Sequence, residues 1–144
     1  CDTHNLFRII GWNHDKMPDG VSPEGWWRQK RYSWFDSATD LPTITAHHLD
    51  DVVETWVFTS LHGYPQLIPS VRGRYIRPFL TTIKKDFTDW CERKDVPYIE
   101  DPTNQDSKYM RNYIRHTLIP AALRVNPGLK KTIKKKIEKT PVLI

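Results

Sequence analysis

The chain has 144 residues, 38% hydrophobic and 27% charged, one domain's worth of sequence with room for a core and a composition that excludes disordered and fibrous classes. No apolar run approaches the ~20 residues of a membrane helix, so no membrane partner is expected. Two cysteines, Cys1 and Cys91, cannot build a disulfide framework, and a reducing, cytoplasmic setting follows. The net charge of +5 is uneven: from Lys108 onward ten Lys and Arg face one acid, +9, while the first 107 residues carry twelve bases and sixteen acids, −4. A basic C-terminal end on an acidic body suits a polyanionic partner, although a solvated lysine-rich helix has the same composition.

Taken in chain order, Leu6 to Trp12 predicts a strand, and Asn13 to Val21 a loop rich in turn formers. Ser22-Pro23-Glu24 is a helix start: a hydroxyl cap, Pro at the first helical position, then an acid in the first turn. That helix carries Trp26, Trp27, Arg28, Arg31, Tyr32, Trp34 and Phe35. Leu41 to Ala46 predicts a short buried strand. Leu49, Val52, Val53, Trp56, Val57 and Leu61 recur at three and four residues, which predicts an amphipathic helix ending near Gly63. Tyr64 to Arg77 reads as a connection with a short strand at Tyr75-Ile76. A helix over Ile83 to Lys94 follows, with Phe87, Trp90 and Cys91 on one face, then an extended stretch from Val96 to Asn104. A further helix begins near Ser107, carries Met110, Ile114 and Leu118, and is broken or restarted at Pro120. Asn126-Pro127-Gly128 opens the last helix, where Leu129, Ile133 and Ile137 form a narrow stripe among six lysines. Strand–helix–strand–helix order predicts an α/β fold with a parallel sheet and a mostly helical C-terminal part. With no repeat and no composition break, residues 1–144 read as a single domain, 107–139 being its basic helical end.

Thr45-Ala46-His47-His48-Leu49-Asp50-Asp51-Val52-Val53-Glu54-Thr55 is the most unusual segment. It falls where a strand ends and a helix begins, the edge at which parallel sheets bind ligands. Asp51 and Glu54 are three apart and share a helix face, so together they could accept hydrogen bonds from an amino group, hold a cation, or act as acid and base. Acids in a first turn also simply stabilise the helix dipole, which accounts for Asp50 and Asp51 better than for Glu54 and the paired histidines. His47, His48, Asp50 and Asp51 are acceptable metal ligands, but the spacing is not His-Glu-x-x-His and no distant third ligand is evident; no metal site is expected. Arg28 and Arg31 share a face and suit a phosphate or carboxylate, or an ordinary pair with Glu24. Arg111, Asn112 and Arg115, with Lys130 and Lys134 beyond, make a phosphate-contacting stripe or a solvated basic face. The six glycines are never adjacent, so the chain contains no Gly-rich phosphate cradle.

These segments together resemble the tRNA(Ile)-lysidine synthetases of the N-type ATP pyrophosphatase, or PP-loop, superfamily. The run from Thr45 to Thr55 resembles the family's Ala-His-His-x-Asp-Asp-x-x-Glu-Thr signature. Arg77-Pro78-Phe79-Leu80 resembles its Arg-Pro-Leu-Leu, and Ile99-Glu100-Asp101-Pro102-Thr103-Asn104 its Ile-Glu-Asp-Pro-Ser-Asn. Arg111-Asn112-Tyr113-Ile114-Arg115 matches Arg-Asn-x-x-Arg. Glu24 to Tyr32 resembles Glu-x-x-Ala-Arg-x-x-Arg-Tyr, with Trp27 where alanine is usual, and Asn126-Pro127 fits as well. The close succession of the motifs is similar to a viral branch of the family.

The resemblance implies a doubly wound parallel sheet of the adenine-nucleotide alpha-hydrolase type, here with its first βαβ missing. It implies ATP-dependent attachment of free lysine to C2 of the wobble cytidine of an isoleucine tRNA, with ATP and Mg2+ as cofactors and AMP and pyrophosphate as products. Asp51 and Glu54 would face the cytidine. His47, His48, Asp50, Arg28 and Arg31 would line the nucleotide cleft, and Arg111, Asn112, Arg115, Lys130 and Lys134 would meet tRNA or phosphate. Ala at Asp51 or Glu54 would then abolish modification and leave folding near intact. The family's Ser-Gly-Gly-x-Asp-Ser ATP loop is not in this sequence, so the chain alone is expected to be inactive and to need a complementary N-terminal segment, supplied by a partner chain, by protein splicing at Cys1, or by a longer polypeptide. A non-catalytic basic tRNA- or RNA-binding module is the alternative.

Overall fold

The computed structural model describes residues 9–101 and 110–141. The chain divides into two compact units, Cys1–Thr43 and Ile44–Ile144. In the first, helix α1 spans Pro23–Ala38. Ser22 is extended and its hydroxyl accepts the Gly25 N–H at 3.5 Å, while Pro23 takes the position whose N–H would have no helical partner. Within α1 only Trp26 is buried. Its ring meets Trp27 edge-on at 4.7 Å, and Tyr32 meets Phe35 at 6.0 Å, so ring contacts rather than a broad apolar face hold this helix.

The strand expected from Leu6 to Trp12 is not found where the chain is described. Residues 9–12 are irregular and exposed, and Leu6, Phe7 and Arg8 lie outside the described residues. A strand exists only when its backbone groups pair with a neighbour, and among the described residues nothing pairs with this run.

Three two-residue strands form a sheet in the order β1-β3-β2: β1 Thr43–Ile44, at the junction of the units, β2 Val71–Arg72 and β3 Tyr75–Ile76. Val71 lies opposite Ile76 and Arg72 opposite Tyr75 in an antiparallel pair. Gly73 has φ +56°, the left-handed conformation that a two-residue hairpin turn places at its first position and that glycine adopts without steric cost. The Thr45 N–H donates to the Ile76 carbonyl at 2.9 Å. The expectation of a parallel sheet is therefore corrected for β2 and β3: a two-residue connection can join only antiparallel strands. The strand expected from Leu41 to Ala46 shortens to Thr43–Ile44; Pro42 just before it has no N–H to offer a neighbour.

Helix α2, Leu49–Leu61, follows the expected periodicity, with Gly63 at φ +84° just beyond it. Leu49, Val52 and Val53 are buried and form one core with Leu80, Ile114, Ile119 and Ile133, packed round by Trp56, Val57, Leu67 and Ile68 among others. Burial is worth roughly 1.5–3 kcal/mol for each such side chain. Helix α3 spans Lys84–Arg93, α4 Met110–Tyr113, α5 Ile119–Val125 and α6 Leu129–Glu138. The α6 stripe is as expected: Ile133 is fully buried, and Leu129 and Ile137 lean against the same core.

The beginning of the helix expected from Ser107 lies outside the described residues, as does the extended stretch beyond Asp101. A π turn over Ile114–Leu118 joins α4 to α5, and the Ile119 N–H reaches back to the Ile114 carbonyl. Pro120 restarts the helix from within α5. A helical proline has no N–H and its ring collides with the carbonyl four residues back, and the wider turn falls on the stretch just before Pro120.

Candidate active site

Strand β1 ends just before the paired histidines, and α2 begins just after them. The Thr45 hydroxyl and His47 Nδ1 share a hydrogen bond of 2.9 Å. His48 is the extended N-cap of α2, and its backbone N–H donates to Asp51 Oδ2 at 2.9 Å. This is the reach of an N3 side chain back over a helix start, so Asp51 caps the helix that carries it. The His48 ring lies between two carboxylates, Nδ1 being 3.5 Å from Asp51 Oδ2 and 3.7 Å from Asp50 Oδ2, and faces Phe87 at 6.4 Å.

Asp50 joins three helices. Its Oδ2 accepts the Lys84 N–H at 2.7 Å, capping α3, and its Oδ1 accepts the Lys130 ammonium of α6 at 2.5 Å. Burial opposes its charge, but the Lys130 and Lys84 hydrogen bonds, with the charges of Lys130 and His48, outweigh that and hold the carboxyl below the usual carboxylate range. Such a group contributes stability above about pH 4, the ordinary aspartate range, and loses it as the pH falls through its lower folded value. Unfolding midpoints followed from pH 7 to pH 2 are therefore expected to fall more steeply in the parent chain than in Asp50→Asn below about pH 4. Parallel curves would exclude this role.

One turn along α2, Glu54 is 2% exposed. Its Oε1 accepts Arg115 Nε at 2.6 Å, and its Oε2 lies 3.6 Å from Arg111 Nε. Burial works against the Arg115 charge, but the Glu54 hydrogen bond and the nearby Glu54, Asp51 and Asp50 carboxylates more than offset it and strengthen its hold on the proton. Oε2 is buried, and among the described residues it accepts no hydrogen bond. Asn112, between the two arginines, is buried.

The second unit thus gathers His48, Asp50, Asp51, Glu54, Arg111, Arg115 and Lys130 around the start of α2. Arg28 and Arg31 stand exposed on α1 in the first unit, where the Arg28 guanidinium lies 5.1 Å from the Tyr32 ring centre. Lys130, expected to meet phosphate, is committed to Asp50, and its place three residues before buried Ile133 is the sequence signal for that. Lys134 is partly buried along α6, and Lys136 lies over Trp56 at 5.1 Å. Spacing had not flagged Arg77: it is buried, its N–H donates to the Ser70 carbonyl at 2.8 Å and its Nη1 to the Pro69 carbonyl at 3.0 Å. It ties the chain just after β3 to the two carbonyls just before β2. Among the described residues, no three His, Cys, Asp or Glu side chains stand together as a metal ion would require.

A family model described as a PP-loop domain matches residues 1–122. The tRNA(Ile)-lysidine synthase of Francisella tularensis subsp. holarctica is 30% identical over 92% of this chain and 36% of its own length. The enzyme of that name from Staphylococcus aureus strain COL is 38% identical over 65% of this chain and 25% of its own. The chain therefore spans about a quarter to a third of the length of these relatives. With 122 of its 144 residues inside the family model, the chain belongs to the PP-loop domain family, an α/β fold, and its relatives include tRNA(Ile)-lysidine synthases.

Proposed function

We propose that this chain is the C-terminal part of a PP-loop ATPase domain in a tRNA(Ile)-lysidine synthetase, and that it joins free lysine to C2 of the wobble cytidine of an isoleucine tRNA at the expense of ATP. The observation that carries this reading is the match to lysidine synthases over 92% of the chain, a stretch that contains the whole Glu54 cluster. In this reading residues 1–144 are one domain with a basic helical end at 107–139, completing a doubly wound parallel sheet, in a cytoplasmic setting. Asp51 and Glu54 face the cytidine, and their place on one face of α2 supports that role, since paired carboxylates are acceptors for a cytosine amino group. His47, His48 and Asp50 shape the nucleotide cleft of the second unit, Arg28 and Arg31 are the first unit's own candidates for nucleotide contact, and Arg111, Asn112, Arg115 and Lys134 serve the phosphates.

The residues of this chain do not by themselves fit ATP and Mg2+. No Gly-rich cradle is in the sequence. Among the described residues, Asp50 is taken up by Lys130 and the Lys84 N–H, and Asp51 by the His48 N–H. No step is therefore assigned to ATP here, and activity needs a segment carrying Ser-Gly-Gly-x-Asp-Ser. Mixing the chain with such a segment is expected to produce AMP release that depends on both lysine and tRNA, from a background of none with either part alone. A folded, associated pair that releases no AMP would refute the reading. It would favour instead the non-catalytic RNA-binding module, for which the +9 end is the supporting feature.

A further inference from the structure

The first unit contains a cleft of about 470 Å3, lined by Trp12, Trp27 and Trp34 together with Lys30 and Arg31. That volume falls within the roughly 300–1,000 Å3 of small-ligand clefts. Its indoles are not spent on a core, since Trp12 is 81% exposed and Trp27 51%. The walls are nevertheless set. The Gly11 backbone lies so close to the Trp34 indole that a side chain there would have to displace that ring, and the edge-on contact with Trp26 orients the Trp27 ring. Of the two cations, Lys30 is paired with Asp15 at 2.5 Å, whereas Arg31 is exposed and makes no ion pair among the described residues.

Several aromatic faces beside one uncommitted guanidinium define a narrow class of ligand. An apolar molecule would leave Arg31 unused, and a bare phosphate would leave the indoles unused. An unpaired nucleotide uses both, because every base has a π-face that stacks on indole and every linkage carries a phosphate that Arg binds by charge-assisted hydrogen bonds. We propose that this cleft takes one unpaired nucleobase of a single-stranded RNA segment, stacked on Trp27 with its adjoining phosphate on Arg31. Trp27 stands where the resembled motif usually has alanine, so the platform belongs to this chain's own sequence. The assignment rests on RNA being the partner in the function proposed above, but it needs neither lysine nor ATP.

The test is a titration of the full chain with a short unpaired oligoribonucleotide, read by tryptophan fluorescence. Because Trp27 is half exposed and outside the core, Trp27→Ala should leave the circular dichroism spectrum unchanged. Its dissociation constant is expected to rise roughly 5- to 100-fold, as the loss of one stacking platform implies, while Trp27→Phe, which keeps a π-face, retains most of the affinity. Arg31→Ala is expected to flatten the slope of log affinity against log salt by about 0.7, the share of one phosphate contact on a single strand. Unchanged binding by Trp27→Ala, a Phe variant as weak as the Ala variant, or equal affinity for a duplex or for inorganic polyphosphate would each overturn the assignment. If these variants bind normally while the reconstituted pair still releases AMP, the cleft assignment falls and the ligase reading stands.

Discussion

Replacing Arg115 with Met is expected to destabilise the second unit by about 3–5 kcal/mol, the range that follows removal of one member of a buried ion pair. Glu54 is 2% exposed, and among the described residues its hydrogen bond, 2.6 Å long, comes from Arg115. Arg111, at 3.6 Å, is beyond hydrogen-bond reach and cannot replace it. Methionine has a similar reach and fills most of the space, so the loss is electrostatic rather than a cavity effect. The double variant Glu54→Gln with Arg115→Met leaves no charge buried, and it should recover much of the stability lost in Arg115→Met alone. At roughly 4–8 °C per kcal/mol for a unit of this size, thermal denaturation separates the three proteins easily. A loss of less than about 1 kcal/mol, the scale of an exposed pair, or a double variant no better than the single, would show that this pair does not hold α2 to the helices after it. The expectation that Ala at Glu54 leaves folding intact changes accordingly. At Asp51, a capping side chain, the cost is only about 0.5–2 kcal/mol, so Asp51 is the position at which lost activity can be read without lost structure.

The parts of this fold that were legible in the sequence are those fixed by local rules. Ser22-Pro23-Glu24 starts α1, the spacing from Leu49 to Leu61 gives α2, and Leu129, Ile133 and Ile137 give the buried edge of α6. What was not legible depends on distant partners. The run from Ile9 to Trp12 has strand-forming residues but no described neighbour to pair with. Tyr75-Ile76, expected as a short strand, is β3, but its antiparallel pairing with β2 hangs on the single glycine at position 73. The site divides in the same way. That Asp51 and Glu54 share a face follows from a three-residue spacing. That Glu54 meets Arg115, and Asp50 meets Lys130, sixty-one and eighty residues away, follows only from packing. The lysines of α6 look alike in the sequence, and one of them proves to be an internal strut.

That distinction among the lysines carries a large expected effect. Among the described residues, Lys131, Lys134 and Lys135 make no ion pair or ring contact, whereas Lys130 is bonded to Asp50 and Lys136 lies over Trp56. If the basic end meets RNA phosphates, as proposed, the charges within α6 that are free to do so are the first three. Each contact on a single strand contributes about 0.7 to the slope of log affinity against log salt, and somewhat more on a duplex. Replacing all three with Gln is therefore expected to reduce that slope by about two and to weaken RNA binding by about two orders of magnitude at 0.1 M salt, with little change in the unfolding midpoint because none of the three belongs to the core. Lys130→Gln should do the reverse, lowering the midpoint through the loss of the Asp50 bond and changing the salt slope little. Equal slopes for the triple variant and the parent would remove α6 from the RNA interface. A slope lost in Lys130→Gln alone would place that lysine on phosphate, and the bond to Asp50 would then have to break each time RNA binds.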